Sequence, residues 1–237
     1  MELVILNVLK GVFSYDNHAS GWFVTLLFIA LAIPFIVRSI VWSRFINQMK
    51  KGNAQKALSI LQSKSYKLLF SEYDQNWNIL RVYISLGDYK KITRQVELMF
   101  QKPLSQRQTY QIASQTYFYF LDAQNKEWSK FLLEKIKDSN HPEEYEYDCM
   151  LYRIMIEKKS QDIETVENIL AKKEKEVVKK EDSQEQIFHI GLLQYLLALQ
   201  YGYQGNTAIK EKYARKARHH LKNTPYSKKA KQLITHS

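Results

Sequence analysis

The chain is poor in the residues that punctuate tight turns. It has 7 Gly and 4 Pro among 237 residues, too few for a sheet protein built on many short turns, and a helical fold is expected instead. A single cysteine, Cys149, rules out an intramolecular disulfide and fits a reducing compartment. The motifs that announce common chemistries are missing. The sequence contains no GxxxxGK[ST] or GxGxxG to cradle phosphate, no HExxH to hold zinc and no GxSxG to present a nucleophile. Lys and Ile are abundant beside few Ala and Arg, the bias of an AT-rich bacterial genome.

Charge is also missing from one long stretch. No Asp, Glu, Lys or Arg occurs from Asn17 to Val37, and only Arg38 interrupts the run before Arg44. A helix needs roughly 20 apolar residues to cross the hydrocarbon core. Trp22 and Trp42 stand near the two ends, where interfacial aromatics are favoured. Pro34 lies inside, which a spanning helix tolerates when neighbouring groups satisfy the freed carbonyl. A cleaved signal peptide would need a basic start and a small-residue cleavage site. Here Lys10 is the sole strong base before the run, and Arg38 follows it. A buried soluble helix is the other alternative, but such helices are seldom so uniformly apolar. The C-terminal flank holds Arg38, Arg44, Lys50, Lys51 and Lys56. The basic flank stays in the cytoplasm. The expectation is an extracytoplasmic or interfacial segment over 1–20, with LVILNVL (3–9) lying in the interface. A transmembrane helix over 21–43 and a cytoplasmic domain over 44–237 follow.

Helical periodicity fills the rest. It predicts helices over about 20–50, 53–64, 72–86, 88–101, 104–123, 126–138, 142–158, 161–180, 183–204, 206–222 and 226–235. The breaks recur at Gly52-Asn53, Gly87-Asp88, Gln124-Asn125, Ser160-Gln161 and Gly205-Asn206. Their spacing of 35, 37, 36 and 45 residues is close to that of a repeat of two helices per unit.

The residues around those breaks resemble the tetratricopeptide-repeat family. In GNAQKALSIL (52–61), Gly52 stands at the turn and Ala57 at the small packing position. SLGDYKKI (85–92) repeats the junction, with Tyr83 four residues before the glycine. In LLALQYGYQGN (196–206), Leu197, Ala198 and Tyr201 fall on the family's Leu, small and Tyr positions, and Ala217 and Pro225 fit its later Ala and Pro. The middle units lack the turn glycine, and a charged insert, AKKEKEVVKKED (171–182), lengthens the last. The resemblance covers roughly 45–225. It implies an all-α chain: one N-terminal transmembrane helix, then an irregular tetratricopeptide-like α-solenoid of about five hairpins with a C-terminal capping helix. The first unit's leading helix coincides with the end of the spanning helix, Arg38 to Lys51. A plain helical bundle is the alternative.

Candidate sites are few. Trp77, Arg81 and Tyr195 fall, by register from the glycines, on the concave face such arrays use to bind peptides, and aromatic and Arg side chains dominate binding surfaces. Residues 206–237 hold nine Lys or Arg against one acid, while the rest of the chain holds 26 against 23. The basic excess is therefore concentrated in Lys210, Lys212, Arg215, Lys216, Arg218, Lys228, Lys229 and Lys231. In 209–222 the stripe Ile209, Tyr213, Ala217, Leu221 faces inward and the bases surround it. Anionic lipid or an acidic protein fits that face; nucleic acid fits less well, because no recognition motif accompanies the charge. Glu143, Glu144, Glu146 and Asp148 open a helix after Pro142, where acids complement the helix dipole. Glu185 and His189 share a helix face but cannot close a metal shell alone. Cys149, among apolar neighbours, reads as a buried thiol. The expected function is a membrane-anchored interaction scaffold, adaptor or assembly factor. Its partner is another, membrane-associated protein, and no catalytic residue, metal, cofactor or small-molecule substrate is expected. A surface binder acting through the basic end is the alternative, and an enzyme the remotest.

Overall fold

The computed structural model describes residues 18–177 and 184–234, every element of which is helical. The expectations placed on 1–17, on the Trp22 side chain and on the end of the 171–182 insert, from 178 onward, lie outside the described residues. The chain divides into two compact units at Pro103 and Leu104.

The first unit contains α1 (His18–Lys50), α2 (Ala54–Leu61), α3 (Lys64–Leu69), α4 (Glu72–Leu86) and α5 (Tyr89–Phe100). Helix α1 runs through Pro34 without interruption. Its last turns pack on α2 and α3, α2 packs on α4, and α4 pairs with α5. The core gathers Val41 and Phe45 of α1, Ala54, Ala57 and Leu61 of α2, Tyr66 of α3 and Val82 of α4. Ala57 is fully buried, and its small side chain lets α1 and α2 approach. The end of the long helix is thus part of the core of the first unit.

The second unit contains α6 (Gln106–Asp122), α7 (Lys126–Lys137), α8 (Pro142–Met155), α9 (Ile163–Val177), α10 (Gln184–Tyr203), α11 (Thr207–His220) and α12 (Pro225–Gln232). Helices α6 and α7 pair, both touch α8, and α10 lies against α8, α9 and α11. The α10–α11 approach is close. A methyl group added at Gly191 would come within 2.7 Å of the Leu221 side chain, so the absence of a side chain there sets the separation.

Four turns share one construction. At Gly52, Gly87, Gln124 and Gly205 the backbone enters the left-handed region, with φ of 70°, 64°, 57° and 75°. That residue's N–H bonds the carbonyl three back, and the next N–H bonds the carbonyl five back, which closes the preceding helix as a Schellman motif. The following Asn or Asp starts the next helix. Asp88, Asn125 and Asn206 accept from the N–H groups of Lys91, Trp128 and Ile209, each cap contributing about 1 kcal/mol. Ser71 and Ser105 cap α4 and α6 likewise, the latter with Gln108 in a reciprocal box.

Gln124 occupies a conformation that costs a non-glycine residue about 1–2 kcal/mol, against the roughly 0.5–1 kcal/mol of extra chain entropy that glycine loses on folding. Gln124→Gly is expected to stabilise the second unit by about 0.5–1 kcal/mol on that balance, read as a higher denaturant midpoint at unchanged slope.

One expected boundary is corrected. The helix expected over 53–64 ends at Leu61, and a separate helix covers Lys64–Leu69. Ser63 divides them. Its hydroxyl donates to the Ile60 carbonyl at 2.7 Å and accepts from the Tyr66 N–H at 3.2 Å, closing one helix and starting another. The helices expected to 158 and 235 end earlier, at Met155 and Gln232, and the end of the helix expected to 180 lies outside the described residues.

Candidate functional site

The long helix changes character at a definite level. From Leu26 to Ile36 it carries bare apolar side chains, with Phe35 74% and Phe28 64% exposed. Val41 is then 8% exposed and Phe45 fully buried. The segment Leu26–Lys50 is long and apolar enough to cross a membrane. Aromatic and cationic groups collect where the change occurs. The Arg38 guanidinium lies 4.9 Å from the centre of the Phe70 ring, a cation–π contact. Trp42 stands 5.4 Å from Phe45 and 6.1 Å from Phe70, and Phe70 stacks on Tyr66 at 4.2 Å. Nothing in the sequence pattern singled out Phe70 or α3. The signal lay in SKSYKLLFS (63–71), whose first and last serines are both N-caps.

Trp77 and Arg81 lie one turn apart on α4, both half-buried. Trp77 stacks on Tyr73 with planes 4° apart and centres 6.5 Å apart. Arg81 donates from Nη1 to Asn78 Oδ1 at 3.2 Å. Asn78, itself buried, donates to the Tyr66 hydroxyl and the Asp74 carbonyl, each at 2.8 Å. Burial pushes the Tyr66 phenol up, so it stays neutral. Arg81 is therefore held from beneath by the core of the first unit.

Tyr195 belongs to the second unit and is half-buried against Tyr226 of α12, with ring centres 5.9 Å apart. Burial pushes its phenol up to about 12. Tyr226 also meets Phe118 of α6 and Phe188 of α10, while Lys229 donates to Asp122 of α6. The terminal helix thus does more than cover α11: it clasps α6 and α10. Its partner on α6 is 107 residues away in sequence, which is why sequence reasoning missed it.

The basic end divides in two. Lys212, Arg215, Lys216 and Arg218 of α11 and Lys228 and Lys231 of α12 are exposed, while Lys210 and Lys229 are half-buried. Arg215 pairs with Glu211 at 3.1 Å. Beneath them Ala217 and Leu221 are fully buried, and Tyr213 stacks on Tyr201 at 5.8 Å. Both phenols donate to Glu167 Oε1, at 3.2 and 2.9 Å.

Other polar groups have structural partners. His220 Nδ1 lies 2.8 Å from Gln194 Oε1, and burial lowers its proton affinity. His141 stacks on Tyr110 at 4.2 Å. Burial pushes the half-buried Cys149 thiol up, which disfavours the reactive thiolate. Among the described residues no group of three or more His, Cys, Asp and Glu is placed to hold a metal.

Asp148 stands apart from the other acids of its helix. Glu143, Glu144 and Glu146 are exposed, but burial, with repulsion from Glu144, pushes the Asp148 carboxyl up to about 7. A carboxyl whose proton affinity is raised in the fold contributes stability below its unfolded value near 4 and loses it as pH rises to about 7. Asp148→Asn is expected to flatten that decline and to raise stability above pH 7, measured as urea midpoints at pH 5 and pH 8.

Comparison with protein-family models, curated proteins and solved structures finds no match to this chain.

Proposed function

We propose that the chain is a single-pass membrane protein. In this reading its N-terminus lies outside the cell, and its paired helices form an irregular tetratricopeptide-like array at the cytoplasmic face. The array binds a segment of another protein as a scaffold, adaptor or assembly factor. One observation carries this reading: α1 passes without a break from a bare apolar surface into the core of the first hairpin. An anchor made from the same helix as the binding domain holds that domain at the bilayer. Confinement raises the effective concentration toward membrane partners, so a weak surface suffices. The flanking bases Arg38, Arg44, Lys50, Lys51 and Lys56 favour the cytoplasmic placement. Three of the four shared turns, the small residues Ala57, Ala198 and Ala217, and the packing of α2 on α4 and of α9 on α10 support the repeat reading.

Trp77 and Arg81 are the leading contact residues in the first unit. The exposed bases of α11 and α12 favour a second contact with anionic surfaces.

The test uses the full chain with a C-terminal tag in native membranes. Protease added to intact cells should leave the tag uncut, and crosslinking should recover a membrane complex. Trp77→Ala with Arg81→Ala should abolish its recovery while the protein remains in the membrane. Tag loss from intact cells would refute the orientation. Unchanged recovery from the double variant would refute the Trp77–Arg81 surface.

A further inference from the structure

Helix α3 is six residues long and has an unusual outer face. Its Tyr66 is fully buried, yet Leu68 is 86% exposed. Lys64, one turn earlier, and Lys67 are exposed beside it. A large apolar side chain so open to solvent has no role in the core.

The position of α3 supplies one. It packs on α1, and Phe70, the residue that ends it, touches both Arg38 and Trp42. Arg38 is the first charge after the uncharged run, and Trp42 follows one turn later. Helix α3 therefore flanks the long helix at the level where its apolar surface ends. If α1 spans, that level is the headgroup boundary, where aromatic rings and the stems of basic side chains settle.

We propose that α3 is a membrane-surface foot: Leu68 enters the upper acyl region beside α1, and Lys64 and Lys67 meet anionic headgroups. The proposal rests on the membrane-anchor reading above. The occupant is lipid because α3 packs on α1 through Phe70 at the level where the exposed apolar surface of α1 ends, and the lysines carry the sign that complements an anionic leaflet. The foot would oppose rotation of the first hairpin about the anchor axis, which a single spanning helix alone does not do.

The experiment uses the full chain with Cys149→Ser, carrying Leu68→Cys or Phe35→Cys labelled with a polarity-sensitive fluorophore. Both sites are exposed, so neither label disturbs the core. The protein is reconstituted in phosphatidylcholine–phosphatidylglycerol vesicles with nitroxide lipids placed shallow or deep. The expected result is a blue shift at position 68 with quenching by the shallow nitroxide, and quenching at position 35 by the deep one. Quenching at position 35 with none at 68 would overturn the foot and leave the anchor standing. A blue shift at 68 without lipid quenching would assign Leu68 to a protein contact and overturn it too. Absence of quenching at both positions would remove the anchor and the foot together.

Discussion

Truncating Phe45 to alanine is expected to cost the first unit about 3–5 kcal/mol, the largest effect of any single side chain on α1. Phe45 is fully buried among Val41, Ala57, Leu61 and Tyr66. The surfaces facing it on α2 include Ala54 and Ala57, which have no side chain able to swing into the void. Whole domains are stable by only about 5–15 kcal/mol, so the first hairpin should open readily in this variant. Phe35→Ala is the matched control. It removes the same ring from the same helix ten residues earlier, where 74% of the residue is exposed, and should leave the unit's stability unchanged. Urea unfolding in detergent, followed by amide hydrogen exchange over residues 54–100, distinguishes the two. Equal midpoints for the two variants would mean that the long helix is not part of the hairpin core. The consequence for function is direct. On the proposed membrane-anchored reading, the apolar part of α1 would still insert with Phe45 gone, but the domain would hang from it by a loosened joint, and partner crosslinking at fixed sites should become diffuse.

The helix ends were legible because local chemistry decides them. Ser71, Asp88, Ser105, Asn125 and Asn206 each accept a bond from an N–H in their own first turn. Gly52, Gly87 and Gly205 take the left-handed backbone expected of a glycine that closes a helix. Gln124 adopts the same conformation without being glycine, so the turn was visible from spacing rather than composition. The division at Ser63 was missed because a serine inside an apolar pattern can either continue a helix or cap a new one. The choice fell to Tyr66, whose ring is drawn into the core beside Asn78. The candidate surfaces were legible only as helix faces. Register placed Trp77 and Arg81 on one side of α4, but the ties from Arg81 through Asn78 to Tyr66 depend on packing between helices. Tyr195 was placed on the concave face by register alone, because nothing local links it to Tyr226, which reaches it by the fold of α12 onto α10. The lysines of the basic end were all equivalent in sequence, until Asp122 claimed Lys229.

Replacing Arg153 with methionine is expected to destabilise the second unit by about 3 kcal/mol, the lower end of the range for stripping the partner from a buried ion. Arg153 donates from Nε to Asp162 Oδ2 at 3.0 Å and from Nη2 to Oδ1 at 2.6 Å. The Asp162 side chain is 8% exposed, and that of Arg153 28%, which is why the lower figure applies. Asp162 also joins three elements. Its carboxylate holds the end of α8, its carbonyl accepts the first bond of α9 from Val166, and its N–H donates to Gln200 Oε1 of α10 at 3.1 Å. Removing the guanidinium leaves an uncompensated charge at that junction, where the segment between α8 and α9 meets α10. Replacing both partners costs less than breaking the pair, since two uncharged groups need no mutual neutralisation. Arg153→Met combined with Asp162→Asn should therefore recover most of the loss, and a double-mutant cycle on urea midpoints measures the difference. If the double variant is as unstable as the sum of the singles, the residues act independently and the junction is held by Gln200 and apolar packing instead. If the single variant loses less than about 1 kcal/mol, the range ordinary for exposed pairs, water reaches Asp162 and the pair does not fix how α8 meets α9.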